Sequence, residues 1–147
     1  MQGGSTDRIV PSTPLVTDEV LFEARPVLLA LGPRELDLAR TRVTNLAALK
    51  GLNSLQHLDL AQTSVANLDE LKGLTALQYL NLFDTRVTNL DALKVLTGLQ
   101  TLDLSQTRVA TLDALKGLTG LQYLDLSRTS VTNLDALNGL TGVRIVN

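Results

Sequence analysis

The sequence predicts an α/β fold: a right-handed solenoid with a parallel β-sheet on its concave face and short 3₁₀ or helical turns on its convex face. Three observations predict it. Copies of one pattern begin at Leu55, Leu77, Leu99 and Leu121, always 22 residues apart. Inside every copy the apolar spacing switches from two to three, so two backbone geometries alternate. And one copy buries too few side chains to offset the cost of fixing its own backbone, so copies must stack and cover one another.

Taken in chain order, residues 1–17 are rich in Ser, Thr, Pro and Gly and read as a flexible N-terminal tail. The first residues, "MQGGSTDRIVPSTP", lack the cationic start and apolar block of a signal peptide. Either a cytoplasmic location or export as an effector by another route is open. Residues 18–32 change character, with Asp18 and Glu19 after Thr17 and apolar residues at Val20, Leu21, Ala24, Leu28 and Leu31. This segment reads as a helical cap over the open end of the first coil. Pro26 is expected to interrupt it, and Phe22 to be buried beneath it.

Residues 33–147 hold five 22-residue copies, the first a variant starting at Pro33, and a terminal strand stub, "VRIVN", from Val143. The copies at 99–120 and 121–142 agree at 16 of 22 positions, which speaks for recent duplication or a consensus-like history. In "LQYLDLSRT" (121–129), Leu124 and Leu126 are two apart, as on one face of a strand. In "VTNLDALNGL", Val131, Leu134, Leu137 and Leu140 are three apart, as in a 3₁₀ or helical turn. Asn133 is placed to cap that turn, Asp135 stands in its first turn, and Gly139 follows it. On the outer surface Asp69, Asp91 and Asp113 precede Lys72, Lys94 and Lys116 by three residues, a ladder of solvated pairs.

The pattern LxxLxLxxTxVxxLxxLxxLxx resembles the leucine-rich repeat family in its 22-residue class. That class includes a protein-phosphatase regulatory subunit and the repeat regions of bacterial internalins. The ninth position departs from it: where the family usually has Asn, this chain has Thr41, Thr63, Thr85, Thr107 and Thr129. A hydroxyl offers one donor where an amide offers two, so a thinner but satisfied ladder is expected. Thr there suits bacterial repeats of this type, and the resemblance implies a bacterial source. It also implies a non-enzymatic module that binds another protein through its concave sheet.

Strand alternation sends positions 2, 3, 5, 7 and 8 of each copy outward onto that sheet. Position 2 is mostly Gln and position 5 mostly Asp, while position 3 runs Glu35, His57, Tyr79, Thr101, Tyr123 and, in the stub, Ile145. Only Phe22, Tyr79, Phe83 and Tyr123 are aromatic, and three of them fall at outward positions, where aromatics serve as interface anchors. The expected partner-binding residues are therefore Glu35, His57, Asp59, Tyr79, Phe83, Asp84, Thr101, Asp103, Tyr123, Asp125 and Arg128. Against this stands the reading that aromatics merely suit strands.

The aspartate row (Asp37, Asp59, Asp103, Asp125, with Asn81 and the stub's Asn147) has its own alternatives. It reads first as solvated repeat furniture bonded to neighbouring Gln or Thr. Recognition of a basic partner, calcium binding and paired-carboxylate chemistry come after.

Composition narrows the function classes. With 44% apolar and 19% charged residues the chain suits a soluble domain, and a net charge of −2 advertises neither nucleic acid nor an anionic membrane. There is no Cys and one His. No disulfide, thiolate metal site or Cys nucleophile is available, and His57 beside Asp59 lacks a nucleophile. No metal or cofactor is expected. The competing reading is a structural protein forming a homodimer through an uncapped C-terminal coil, with Leu140 and Ile145 at the contact. Another is the recognition segment of a larger signalling or effector protein.

Overall fold

The computed structural model describes residues 7–9 and 15–147. Seven short strands lie parallel in chain order in one sheet. They are β1 (Arg8–Ile9), β2 (Glu35–Asp37), β3 (His57–Asp59), β4 (Tyr79–Asn81), β5 (Thr101–Asp103), β6 (Tyr123–Asp125) and β7 (Arg144–Val146). Between consecutive strands from β2 onward the chain crosses the opposite wall in a 3₁₀ turn: Ala47–Leu49, Asp69–Gly73, Asp91–Val95, Asp113–Leu115 and Asp135–Leu137. The predicted solenoid is what forms.

The leucines explain the stacking. Leu36, Leu58, Leu80, Leu102 and Leu124 are the middle residues of β2–β6, pair in register from strand to strand, and are all buried. On the other wall Val87, Leu90, Leu93 and Leu96 show the spacing of three with every side chain buried. Each coil thus closes the core of the next, as apolar burial demands.

Polar groups secure the corners. The hydroxyls of Thr41, Thr63, Thr85, Thr107 and Thr129 donate to the carbonyl three residues back, at 2.6–2.8 Å. The ladder is satisfied within each coil, without bonding across coils. Asn45, Asn67, Asn89 and Asn133 each accept from the N–H two residues on, at 2.7–2.8 Å, at the entry to a 3₁₀ turn. The Asp69–Lys72, Asp91–Lys94 and Asp113–Lys116 pairs close at 2.9, 2.8 and 3.0 Å. Being exposed, they add little stability.

Before the first full coil stands α1 (Asp18–Leu31), packed against the Ala47–Leu49 turn. Thr17 caps it by accepting the Val20 N–H, and Gly32 ends it at φ 55°, its N–H bonded to the Leu28 carbonyl. Two expectations need correcting. The helix runs unbroken through Pro26, which lies on its exposed side. Phe22 is 60% exposed rather than buried. Leu21 and Leu28, two turns apart, face the core, and one residue's step of about 100° carries Phe22 off that face.

Asp18 ties this helix to the first coil. Its Oδ1 accepts the N–H groups of Thr44 (2.7 Å) and Asn45 (2.9 Å), and its Oδ2 accepts the Thr44 hydroxyl.

Part of the segment read as a loose tail is ordered. Arg8–Ile9 pairs with Glu35–Leu36 at the sheet edge, and the Asp7 carbonyl accepts from Arg34 (3.0 Å) and Glu35 (2.7 Å). The remainder of that expectation, at 1–6 and 10–14, lies outside the described residues.

The last strand corrects a register. A strict 22-residue step pairs Ile145 with Tyr123 and Asn147 with Asp125. In the sheet Tyr123 pairs with Arg144, Leu124 with Ile145 and Asp125 with Val146. The coil departs from its predecessors at Gly142, whose φ of 83° is open only to glycine at low cost and is absent at Gly98 and Gly120.

Candidate interaction surface

The outward wall is built by the end of each strand. At position 5 the carboxylate or amide oxygen accepts the backbone N–H two residues on: Asp37 from Ala39, Asp59 from Ala61, Asn81 from Phe83, Asp103 from Ser105 and Asp125 from Ser127, at 2.8–3.0 Å. This turn, not bonding to Gln or Thr, is why the row recurs. One further contact is local, the Ser105 hydroxyl donating to Asp103. The chain then bends through position 8, where Arg40, Gln62, Asp84, Gln106 and Arg128 all take φ between 51° and 60°. Five non-glycine residues in the left-handed region in a row mark a bend imposed by the coil.

The expected binding residues divide by this geometry. Glu35, His57, Tyr79, Thr101 and Tyr123 are register partners on successive strands, and so are Asp59, Asn81, Asp103 and Asp125. Asp84 and Arg128 stand at the left-handed bend, on the rim and exposed. Phe83 lies in the turn before that bend, half-buried. At the same place in the other copies Ala39 and Ser127 are also half-buried, while the smaller Ala61 and Ser105 are 8% and 6% exposed.

Among the described residues, the His57 and Tyr79 rings meet at 5.7 Å between centroids, and the Arg144 guanidinium lies 6.0 Å from the Tyr123 ring centre. The Tyr123 hydroxyl reaches Asp125 Oδ2 at 3.4 Å. Arg8 enters from β1, its guanidinium 3.6 Å from Glu35 and 3.9 Å from Asp37. Sequence reasoning missed both arginines. Arg8 sits on a two-residue strand with no periodic signal, and only Gly142 hinted that Arg144 would replace Ile145.

A cavity of about 280 Å³ opens on the wall between Arg8, Glu35, Asp37, His57, Asp59 and Tyr79. Partial burial raises Asp59 above the usual carboxylate range, with the Asp37 and Asp103 charges adding to it against bonds from Ala61 and Asn81. Burial likewise raises the Tyr79 hydroxyl, with the Asp59 and Asp103 charges adding. No three acidic, His or Cys side chains among the described residues are arranged to hold a metal ion. Among the described residues no helix is long and apolar enough to cross a membrane.

Comparison with known proteins agrees with the geometry. The family model for leucine-rich repeats matches residues 53–95, 75–117 and 97–140 as overlapping two-copy units. Among solved structures, the internalin InlF of Listeria monocytogenes is similar with a TM-score of 0.77 and 24% identity, over 84% of this chain and 37% of that one. Internalin C2 of the same organism gives 0.76 and 31% identity, over 82% of this chain and 54% of that one. A leucine-rich repeat protein of Leptospira interrogans gives 0.70 and 23%, over 80% of this chain and 33% of that one. The chain thus spans only part of each of these structures. No curated protein matches it by sequence.

Proposed function

We propose, from the premise that this chain belongs to the leucine-rich repeat family, that it is a non-enzymatic module binding another protein through its concave wall. The repeat is typical of protein–protein interaction modules. One observation carries the finer reading. The residues that differ most between copies, His57, Tyr79, Thr101 and Tyr123, are consecutive register partners on one wall, while the leucines behind them hardly change. A wall ordered by its own sheet loses little entropy on contact, so varied side chains there convert into affinity. The cavity that His57 and Asp59 line holds no Ser, Thr, Cys or Lys side chain for the imidazole to activate, which favours binding over catalysis.

The test is capture of partners from a lysate of the source organism, and of any host, by the wild type and by Tyr79→Ala with Phe83→Ser. Loss of the captured protein by a variant that still melts cooperatively supports the wall as the binding face. Equal capture removes it.

A second reading rests on the last coil. Val131, Leu134 and Val143 are only partly buried and Ile145 is 36% exposed, where their counterparts in inner coils are sealed. Self-association through this face predicts a concentration-dependent mass by light scattering that Ile145→Asp abolishes and Tyr79→Ala leaves alone. The partial overlap with longer internalins favours a related reading, the recognition segment of a larger protein.

A further inference from the structure

The charge on the concave wall has a pattern that the binding reading alone does not use. The residues of β2–β6 include five carboxylates, Glu35, Asp37, Asp59, Asp103 and Asp125, and no Lys or Arg. The position 5 row is broken once, at Asn81, whose amide donates to Asp59 at 3.2 Å. What remains is two acidic pairs on adjacent strands, Asp37 with Asp59 and Asp103 with Asp125. The strand-ending bond itself needs no charge, because Asn81 makes it with a neutral side chain, although Asp37 also faces the chain's own Arg8.

Two further observations say what such pairs accept. The chain's own Arg8 extends its guanidinium between Glu35 and Asp37, so a planar cation fits at this depth on the wall. Aromatic faces stand next to each pair, the His57–Tyr79 stack by Asp59 and Tyr123 by Asp125. Tyr123 already carries the Arg144 guanidinium over its ring. Carboxylates flanked by rings favour a cation over a neutral or anionic group.

Spacing then fixes the ligand. The midpoints of the two pairs are three strand intervals apart, about 14 Å at ~4.8 Å each. An extended chain advances about 3.4 Å per residue, so roughly four residues span that distance. Resting on the concave wall as the binding surface, we infer that the partner presents a basic extended segment across the strands, with two Arg or Lys side chains four residues apart. One cation sits between Asp37 and Asp59, the other between Asp103 and Asp125. The residues between them pass over Tyr79 and Thr101.

The probe is a labelled heptapeptide, acetyl-GRTVTRG-amide, titrated into the full chain by fluorescence anisotropy beside acetyl-GETVTEG-amide and acetyl-GRTRTVG-amide. The first should bind at least about tenfold tighter than the acidic peptide and several-fold tighter than the one with adjacent-register arginines. Asp59→Asn with Asp103→Asn should weaken it about tenfold while the fold persists, since Asn81 shows that an amide supports the turn. No measurable binding of the first peptide, equal binding of the acidic one, or indifference to the two Asn substitutions overturns the inference. Proteins captured through Tyr79 that carry no basic segment defeat the inference and leave the binding wall standing. Capture indifferent to Tyr79→Ala defeats both.

Discussion

Asp18 and Thr44 are joined twice, the Oδ1 of the aspartate accepting the threonine N–H at 2.7 Å and its Oδ2 accepting the hydroxyl. With the Asn45 N–H also bonded to Oδ1, one carboxylate fastens α1 to the first coil. Asp18→Ala should cost about 1 kcal/mol by removing these solvent-exposed bonds to a charged acceptor, measured by urea unfolding. Bonds from Thr44 and Asn45 outweigh partial burial and hold the Asp18 carboxyl below the ordinary 3.8. Its contribution is therefore complete above pH 3.8 and is lost as the pH falls through the depressed value. The gap between wild type and Asp18→Ala should close over that acid range.

Asp59 runs the opposite way. Burial, together with Asp37 and Asp103, raises its pKa, while Glu35, His57, Tyr79 and Arg8 line the same cavity. A raised carboxyl binds protons more readily in the folded state, so ionising it costs stability as the pH rises through the raised value. Asp59→Asn should stabilise the chain at neutral pH by up to about 1 kcal/mol. That advantage should disappear below pH 3.8, where both states are protonated. Thermal melts across acid pH decide it.

The buried hydroxyls offer a matched pair. At Thr107 the backbone N–H also reaches the Leu104 carbonyl, at 3.1 Å, whereas at Thr85 the hydroxyl bond to Leu82 is the one described. Thr85→Val should therefore cost about 1–3 kcal/mol and Thr107→Val less. Equal losses in urea unfolding would contradict this account of the ladder.

The left-handed bend predicts a stabilising substitution. Gln106 holds φ at 57° without the freedom of glycine or the local bonding of asparagine. Gln106→Asn should gain up to about 1 kcal/mol, and Gln106→Val should lose about 1–2 kcal/mol, because a branched Cβ crowds that conformation. Differential scanning calorimetry of the three chains gives the order.

How much of this was legible depends on whether a residue obeys a period. Leu58, Leu60, Val65 and Leu68 announce their burial through spacing alone, and the register of β2–β6 follows from identical coil lengths. The outward placement of His57, Tyr79 and Tyr123 came from the same alternation. Arg8 obeys no period, because two residues of strand are too few to show one. The left-handed residues carry no glycine to reveal them. Asp37 and its row were seen as outward charges, yet their bond to the backbone two residues on depends on chain direction at the strand end, which composition does not encode. Phe22 was misplaced because α1 has apolar residues on more than one face, and only the first coil decides which of them is covered.

Register by whole coils sets a unit of change for this wall. A duplicated or deleted 22-residue segment shifts every rung by one strand interval and leaves each corner bond intact, whereas a coil of another length, like the 21-residue step into β7, changes which residues the next strand brings to the wall. The reach of the surface is accordingly quantised, growing or shrinking in steps of about 4.8 Å. A partner that outgrows it can be followed only by adding another whole rung.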